Sequence, residues 1–316
     1  MSICISHMED ADGIVSACII SSLFNTKNIL VDYSTLMPTL RRILDEEIEN
    51  LFICDLGLSK SNQSEFISII NQLKNRNVKV TYIDHHDQSD ELKQMLSENL
   101  NLIHNLTECT SVIIYSNFKD RIEDRYKILV AAAAIVDEMD KNPIASTLVR
   151  KYDRQFLFFE TTILSYAIYS SQKDMNFLLR LVEELKSKLP HEIEGVVERS
   201  RIYAEQISKI ITIMEKAYIN NGFAHISIDE PLDTGVTASM LLNMKELRVA
   251  MAYKPKNDGY VISLRGAAEY DKHLGRILSS VASEVGGSGG GHKLACGALI
   301  PKDKLNEFIN RLERMI

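Results

Sequence analysis

Side chains that bind metals or move protons stand at the ends of predicted elements in this sequence. A β-branched and aromatic run, residues 78–83, stops directly at Asp84-His85-His86. Similar residues follow two other predicted strands and close an apolar helix, so the full set is His7, Asp10, Asp12, Asp55, Asp84, His85, His86 and Asp137. Because the carboxyl ends of parallel strands open onto one crevice, we expect these residues to lie together.

The mixture of carboxylates and imidazoles indicates which chemistry such a site could perform. It suits Mn²⁺, and also Mg²⁺, Fe²⁺ or Zn²⁺. Two ions about 3.5–4 Å apart need a bridging carboxylate and several further ligands, and such a pair promotes displacement at phosphorus. Taken singly, each acid could be a helix cap or a solvated residue, and Asp84-His85-His86 could be a turn. Four clusters at the ends of separate elements are hard to explain without a metal.

A glycine-rich stretch is the second candidate for chemistry. Five of the 14 glycines lie within residues 286–291, and His292 follows. Such runs are often flexible linkers, but a strand-like segment, 294–300, comes immediately afterwards. Glycine lets backbone N–H groups approach a phosphate closely, so we predict a loop that cradles a ligand. Arg265, on the strand upstream, would grip a phosphate; the alternative is an exposed arginine at a strand end.

The elements that must position these residues form two different patterns. Strands alternate with helices up to about residue 136, which predicts a doubly wound, mostly parallel sheet. The pattern is then helical, ends in a long helix and returns to strands near residue 224. We therefore predict an α/β fold with a catalytic domain over 1–190, a connecting helix over 191–218 and a smaller α/β domain over 219–316.

Composition narrows the class of protein further. The net charge of −7 argues against sequence-independent DNA binding by the whole surface. Five scattered cysteines without a Cys-x-x-Cys pair predict buried thiols in a reducing cytoplasm. The N-terminus enters a strand pattern at once, so we expect no signal peptide, and the longest apolar run, 128–136, is too short to span a membrane.

The motifs, in this order, resemble those of the DHH phosphoesterase family. The resemblance rests on Asp10-x-Asp12-Gly13 with Ser16-Ala17, then Asp55, Asp84-His85-His86 and Asp137. The stretch 286–297 resembles the GGGGH-x-x-A-A-G signature of the partner domain, DHHA1, and Ser263-Leu264-Arg265 resembles the family's Ser-x-Arg element. The likeness spans nearly the whole chain.

The resemblance implies two Mn²⁺ ions, with Mg²⁺ as the other candidate, and two-metal activation of water. One ion would be held by His7, Asp10 and Asp55, and the other by Asp12, Asp55, His85 and Asp137. His86 would stabilise the phosphoryl oxygens or the leaving group, and Asp84 would orient the neighbouring imidazole. His7 departs from the family pattern, because it precedes the first aspartate by three residues where two or four are common.

The resemblance also implies which residues contact the substrate. In the DHHA1 domain these are Arg265, Gly289, Gly290, Gly291 and His292, with the substrate in the cleft between the domains. Near the metals, His104 and Ser111 could contact the substrate, or they could equally help to cap the next helix.

The implied function is a Mn²⁺-dependent phosphodiesterase or exonuclease, RecJ-like or oligoribonuclease-like, acting on single-stranded DNA, RNA or short oligonucleotides. We expect no OB-fold after the glycine-rich stretch, which favours short strands and dinucleotides. One alternative is a hydrolase of small nucleotides such as 3′-phosphoadenosine 5′-phosphate or a cyclic dinucleotide. Another is a non-catalytic replication assembly protein. A homodimer, or a replication or repair partner, is compatible with each. The sequence does not indicate polarity, sugar preference, preferred metal or oligomeric state.

Overall fold

The computed structural model describes residues 1–229 and 232–316. The chain forms two compact units, Met1–Ala204 and Glu205–Ile316, and the division falls within one long helix, Val196–Ile213. The three-part division at residues 190 and 218 stays a prediction.

The first unit is built on a sheet of five parallel strands. In chain order they are β1 (Ser2–His7), β2 (Lys27–Val31), β3 (Asn50–Cys54), β4 (Lys79–Asp84) and β5 (Asn101–His104). Their spatial order is β2-β1-β3-β4-β5. The chain therefore reverses its direction across the sheet between β1 and β3, which is the position where doubly wound folds bind ligands. The predicted parallel α/β architecture is confirmed.

Helices cover both faces of this sheet. The helices from β1 to residue 213 are, in chain order, α1 (Ala11–Phe24), α2 (Leu36–Ile43), α3 (Gln63–Asn75), α4 (Asp90–Asn99), α5 (Thr110–Phe118), α6 (Tyr126–Val136), α7 (Pro143–Val149), α8 (Arg154–Ser170), α9 (Met175–Glu184) and α10 (Val196–Ile213). One apolar core joins α1, α5, α6, α8 and α9 to one face, and a second joins α2, α3 and α4 to the other. Helix α4 gives a weak sequence signal, because Leu92 and Leu96 are its only buried residues.

The second unit is a mixed sheet with helices on both faces. Its elements are β6 (Tyr218–Asn220), β7 (Phe223–Ser227), α11 (Thr234–Met244), β8 (Val249–Lys256), β9 (Gly259–Gly266), α12 (Leu274–Glu284), β10 (Ser288–Gly291), β11 (Ala295–Pro301) and α13 (Leu305–Met315). The order is β10-β11-β9-β8-β7-β6, with only β7 and β8 parallel. Helix α11 packs on one face, and α12 and α13 pack on the other.

The glycine-rich stretch is not the loop that the sequence predicted. It forms β10, the edge strand of this sheet, in which Gly290 pairs with Gly297. A Cβ at Gly289 would lie 2.8 Å from the Cβ of Ala298, and a Cβ at Gly291 would lie 2.7 Å from the Cα of Cys296. Close hairpin packing therefore requires glycine at two positions that we had attributed to ligand binding. At Gly290 no atom would lie within 4 Å of the added Cβ.

All five cysteines are buried free thiols, as the sequence predicted. Within residues 1–229 and 232–316, no helix combines the length and the apolar character that a membrane span requires.

Candidate metal centre

The strand order explains why the predicted ligands meet. β1, β3 and β4 are neighbours, and their carboxyl ends carry His7, Asp55 and Asp84, respectively. His85 follows β4 directly. Helix α1 starts beside them, and Gly13 allows this close approach, since a Cβ there would lie 2.2 Å from the carbonyl oxygen of His7.

His7, Asp10 and Asp55 form the first group of possible ligands. Nδ1 of His7 lies 2.9 Å from Oδ2 of Asp10 and 3.7 Å from Oδ2 of Asp55. One ligand atom from each residue lies within 4.8 Å of the others, which is close enough to share one cation. His7 therefore lies beside Asp10 and Asp55 despite its unusual spacing, and its role as a ligand stays a prediction. Nε2 of His7 also lies 3.3 Å from Oε2 of Glu9.

Asp12, His85 and Asp137 form the second group, with the same spacing of ligand atoms. Nε2 of His85 lies 3.5 Å from Oδ2 of Asp137 and 3.4 Å from Oδ1 of Asp55. The Asp12 carboxylate is fully buried and accepts backbone hydrogen bonds from Thr110 at 2.7 Å and Ser111 at 2.8 Å. The first turn of α5 therefore fixes its position.

Asp55 contributes an oxygen to each side of the site. Oδ2 faces His7, and Oδ1 lies near His85 and accepts a 3.1 Å hydrogen bond from the Thr110 hydroxyl. Its backbone φ of 59° is left-handed, a conformation that costs energy for a residue with a Cβ and is concentrated at functional sites. Asp55 therefore stands between the two groups, and its bridging of two cations stays a prediction.

The site holds a surplus of closely spaced carboxylates, which shifts the pKa values of its members. Burial and the neighbouring Asp55 raise the pKa of Asp12 to about 7, and burial with Asp12 raises the pKa of Asp137 to about 9. Burial by itself lowers the pKa of His7, but hydrogen bonds to nearby carboxylates raise it to about 11. Oδ2 of Asp137 is buried and forms no hydrogen bond within the described residues. A divalent cation fits this donor set, since it would partner that oxygen and neutralise the surplus charge.

His86 stands beside the two groups and is held from both ring nitrogens. Its Nδ1 lies 2.8 Å from Oδ1 of Asp84, and its Nε2 lies 3.1 Å from the hydroxyl of Tyr33. Asp84 is fully buried and also accepts from Gln88 at 3.0 Å. Burial lowers the pKa of His86, but the Asp84 carboxylate outweighs that effect and raises it. Ligand atoms of His86, His85 and Asp55 also lie within 4.8 Å of one another, so this imidazole could approach the metals.

The two weaker candidates of this unit have structural partners. Nε2 of His104 lies 2.7 Å from the carbonyl oxygen of His86, so the ring supports the backbone of the motif. Ser111 is fully buried beneath Asp12 and presents no surface to a substrate. Its hydroxyl lies 3.5 Å from Sγ of Cys109.

Two further residues contribute to this site: Tyr33, which sequence reasoning missed, and Thr110, which directly precedes the candidate Ser111. Tyr33, in the turn after β2, contacts His86 through its hydroxyl, and its ring centroid lies 5.2 Å from that of His7 with the rings tilted at 47°. Thr110 contacts both Asp12 and Asp55. Its position before Ser111 at the start of an apolar helix was a usable signal, whereas Tyr33 stands in no motif and is recognised only from the fold.

The predicted substrate residues of the second unit share one face of its sheet. Gly290, Gly297 and Ser263 lie side by side on β10, β11 and β9, and Arg265 lies two residues from Ser263 on the same face. The Thr234 hydroxyl lies 2.8 Å from that of Ser263. No carboxylate forms an ion pair with Arg265 in the described part of the chain, and its guanidinium lies beside the N-terminus of α11. His292 is exposed just after β10.

Comparisons with known proteins agree with both halves of this description. Residues 2–137 match the model of the DHH family, N-terminal domain, and residues 221–316 match the model of the DHHA1 domain. An uncharacterised protein of Methanocaldococcus jannaschii is 36% identical over 84 residues, which are 26% of this chain and 19% of that protein. The chain spans less than a fifth of the length of the curated relatives that it matches.

Two solved structures share the fold over 99% of the chain. The pGpG-specific phosphodiesterase PggH of Vibrio cholerae is 12% identical with a TM-score of 0.65, and 97% of its chain is covered. RecJ of Thermus thermophilus, solved with Mn²⁺, is 14% identical with a TM-score of 0.67, and 51% of its chain is covered. The two family models together match well over half of this sequence. The protein therefore belongs to the DHH/DHHA1 phosphoesterase family.

Proposed function

We propose that the protein is a phosphodiesterase that depends on two divalent cations and hydrolyses short single-stranded nucleic acids, down to dinucleotides. One observation carries this proposal. Asp55 lies between two ligand groups, and each group supplies carboxylate and imidazole atoms within 4.8 Å of one another. A shared carboxylate between two sites is the arrangement that two-metal hydrolysis of phosphoesters needs.

The residues that would hold the cations are His7, Asp10 and Asp55 on one side and Asp12, Asp55, His85 and Asp137 on the other. Mn²⁺ and Mg²⁺ are the candidates, since both accept oxygen-rich sites and since RecJ of T. thermophilus has been solved with each. When bound, the cations supply Lewis acidity, which activates water and stabilises the charge that develops on the phosphoryl oxygens.

His86 would provide a hydrogen bond to the phosphate of the substrate. Asp84 accepts a hydrogen bond from Nδ1, so Nε2 points away from this carboxylate and lies against the Tyr33 hydroxyl. Because Asp84 favours the protonated ring, Nε2–H can donate to a phosphoryl oxygen or to the leaving oxygen once the substrate displaces Tyr33. Tyr33 would then be free to contact the departing nucleotide.

The second unit would hold a neighbouring phosphate or a terminal nucleotide. Arg265 offers a guanidinium without an acidic partner among the described residues, and Gly290 offers backbone with open space beside it. His292 stands exposed at the end of the same strand. We keep these three as substrate residues, while Gly289 and Gly291 are explained by packing. Five buried free thiols favour a reducing cytoplasm as the location of the enzyme.

A specialised dinucleotide hydrolase is the second candidate. It is favoured by the structural likeness to PggH, which extends over 97% of that protein, against 51% of RecJ. The two candidates differ in how the rate depends on substrate length.

A digestion panel tests the proposal. It contains end-labelled single-stranded DNA and RNA of two to twenty nucleotides, pGpG, a cyclic dinucleotide and 3′-phosphoadenosine 5′-phosphate, each with Mn²⁺, Mg²⁺ or EDTA. We expect metal-dependent release of mononucleotides from the single strands. Hydrolysis of dinucleotides alone would favour the specialised enzyme, and no hydrolysis of any member would overturn the proposal in favour of an assembly role.

A further inference from the structure

Helix α8 carries a row of exposed and half-buried aromatic side chains that are not among the candidate metal ligands. Phe158 and Phe159 are 40% and 47% exposed near its start, and Tyr166 and Tyr169 are half-buried near its end. With the exposed Thr162 between them, these positions follow the three- and four-residue spacing of one helix face. We call these five residues the aromatic stripe.

The opposite face of α8 accounts for its packing in the first unit. Its buried residues are Leu157, Glu160, Thr161, Ile163, Leu164, Ser165, Ala167 and Ile168. The aromatic stripe is therefore not needed to attach the helix to the core. Burying large apolar rings is favourable, so a row of partly exposed aromatic residues on a compact unit marks a contact surface.

The Tyr169 end of the stripe lies on the side of the unit that carries Asp10 and Asp137. Helix α8 packs on α6, which is capped by Asp137, and on α1, which is capped by Asp10. Tyr169 lies within electrostatic reach of both carboxylates. Tyr203 from α10 extends the surface, with its ring centroid 4.8 Å from that of Tyr166 and 5.2 Å from that of Tyr169.

Positive charge gathers at the other end of the stripe. Arg150, Lys151 and Arg154 are exposed there, with Asp153 as the one acid among residues 150–154. The guanidinium carbon of Arg154 lies 5.3 Å from the centroid of the Phe158 ring. Aromatic rings beside cations are the combination that binds bases and phosphates of single strands without regard to sequence.

We propose that the aromatic stripe binds the bases of a single-stranded nucleic acid whose end lies in the metal centre. This inference rests on the proposed function and adds the path of the substrate to it. The ten helical steps from Phe159 to Tyr169 span about 15 Å, which matches about four stacked nucleotides. The enzyme would therefore grip strands of four or more nucleotides more tightly than a dinucleotide.

The test measures binding separately from cleavage. Fluorescein-labelled thymidylate DNA and uridylate RNA of two, four and six nucleotides are titrated with the full chain in EDTA, and anisotropy reports the Kd. Phe159→Ala and Tyr166→Ala each remove one stacking ring. Phe156→Ala is the matched control, because Phe156 is an equally exposed phenylalanine of α8 whose ring packs on His191 instead. Thermal unfolding of each variant checks that it folds.

We expect the hexanucleotide to bind more tightly than the dinucleotide, and each stripe variant to weaken hexanucleotide binding about tenfold. The Phe156 variant keeps the wild-type affinity. If a stripe variant raises the Kd for DNA and RNA by the same factor, the stripe recognises the bases alone. If it raises the Kd for one of them more, the stripe also distinguishes deoxyribose from ribose. The inference is overturned if the stripe variants bind the hexanucleotide like the wild type, or if they change only the molar mass in solution, which would make the stripe an interface between copies.

The outcome is separable from that of the digestion panel. If the wild type binds hexanucleotides through the stripe but cuts none, the proposed function fails while the binding surface stands. If it cuts dinucleotides and hexanucleotides with the same efficiency in all variants, the proposed function stands and the stripe inference fails.

Discussion

Nδ1 of His86 lies 2.8 Å from Oδ1 of Asp84, and this contact selects the ring nitrogen that is presented to a phosphate. The carboxylate accepts a hydrogen bond from Nδ1 whether the ring is neutral or protonated, so Nε2 remains for the substrate. Asp84 is itself fully buried and held by Gln88 and Tyr82. The pair is therefore a rigid unit, and its disruption should affect catalysis more than binding.

Asp84→Asn tests this relationship. The amide can donate to Nδ1, which favours the wrong tautomer and removes the charge that supports the protonated ring. We expect kcat to fall about 10²-fold or more with a much smaller change in KM, measured on an artificial phenyl phosphodiester with saturating Mn²⁺. In a protein that already carries His86→Ala, adding Asp84→Asn should lower kcat little further, because the two residues act together. Additive losses in this double-mutant cycle would contradict the pairing.

Asp55→Asn addresses the shared carboxylate. An amide is a poorer ligand and carries no charge to bridge two cations, so we expect Mn²⁺ affinity to fall by at least about 100-fold. Isothermal titration calorimetry gives the affinity and the stoichiometry together. Asp45→Asn, at a position outside the site, is the control. Wild-type binding of two ions by the Asp55 variant would rule out the bridging role.

Metal removal should weaken the first unit. A ligand that binds only the folded state at 100 times its Kd adds about 2.7 kcal/mol to the free energy of unfolding, which corresponds to about 5–10 °C in Tm for a unit of this size. We expect Mn²⁺ to raise Tm by that amount over an EDTA-treated sample in differential scanning calorimetry. Asp137→Asn should lose most of this shift. A metal-independent Tm would argue that the carboxylate cluster holds no ion.

Substitutions at two neighbouring glycines of β10 should distinguish a glycine needed for packing from one that contacts the substrate. Gly289→Ala brings a methyl group against Ala298 and should lower stability by about 1–3 kcal/mol in denaturant unfolding. Gly290→Ala meets no atom within 4 Å, so Tm should not change. Its methyl group would nevertheless obstruct a ligand at the backbone and raise KM for oligonucleotides about tenfold. An unchanged KM would remove Gly290 from the substrate residues.

His225 should make the second unit sensitive to acid. It lies among the rings of Tyr218, Phe223 and Tyr253 at 5.0, 5.9 and 6.0 Å, and this burial lowers its pKa below 6.5. The unfolded chain therefore takes up the proton first as the pH falls, so the stabilisation present above pH 6.5 is lost below it. Thermal unfolding between pH 7.5 and 5 should show a slope that His225→Phe reduces. An identical slope in both proteins would assign the acid sensitivity to other groups.

Much of the fold was predictable because local patterns specify it. The β-branched run 78–83 predicts β4 to within one residue, and the alternation of strands with helices up to about residue 136 predicts the parallel sheet. They also placed the ligand-type residues at the carboxyl ends of strands, where a parallel sheet gathers them on one edge. The glycine-rich stretch, by contrast, is predicted as a loop and forms an edge strand, because glycine suits a ligand cradle and a tightly packed hairpin equally well.

The sequence by itself determined the chemistry of this protein, since the kinds of side chain and their positions at strand ends depend on local order along the chain. The tertiary structure alone decided which of them touch. Strand order makes β1, β3 and β4 neighbours and so brings His7, Asp55 and His85 together. The same packing places Thr110 under Asp12 and Tyr33 against His86, contacts between residues separated by 98 and 53 positions. Such contacts depend on how helices and strands pack, and no local pattern encodes them.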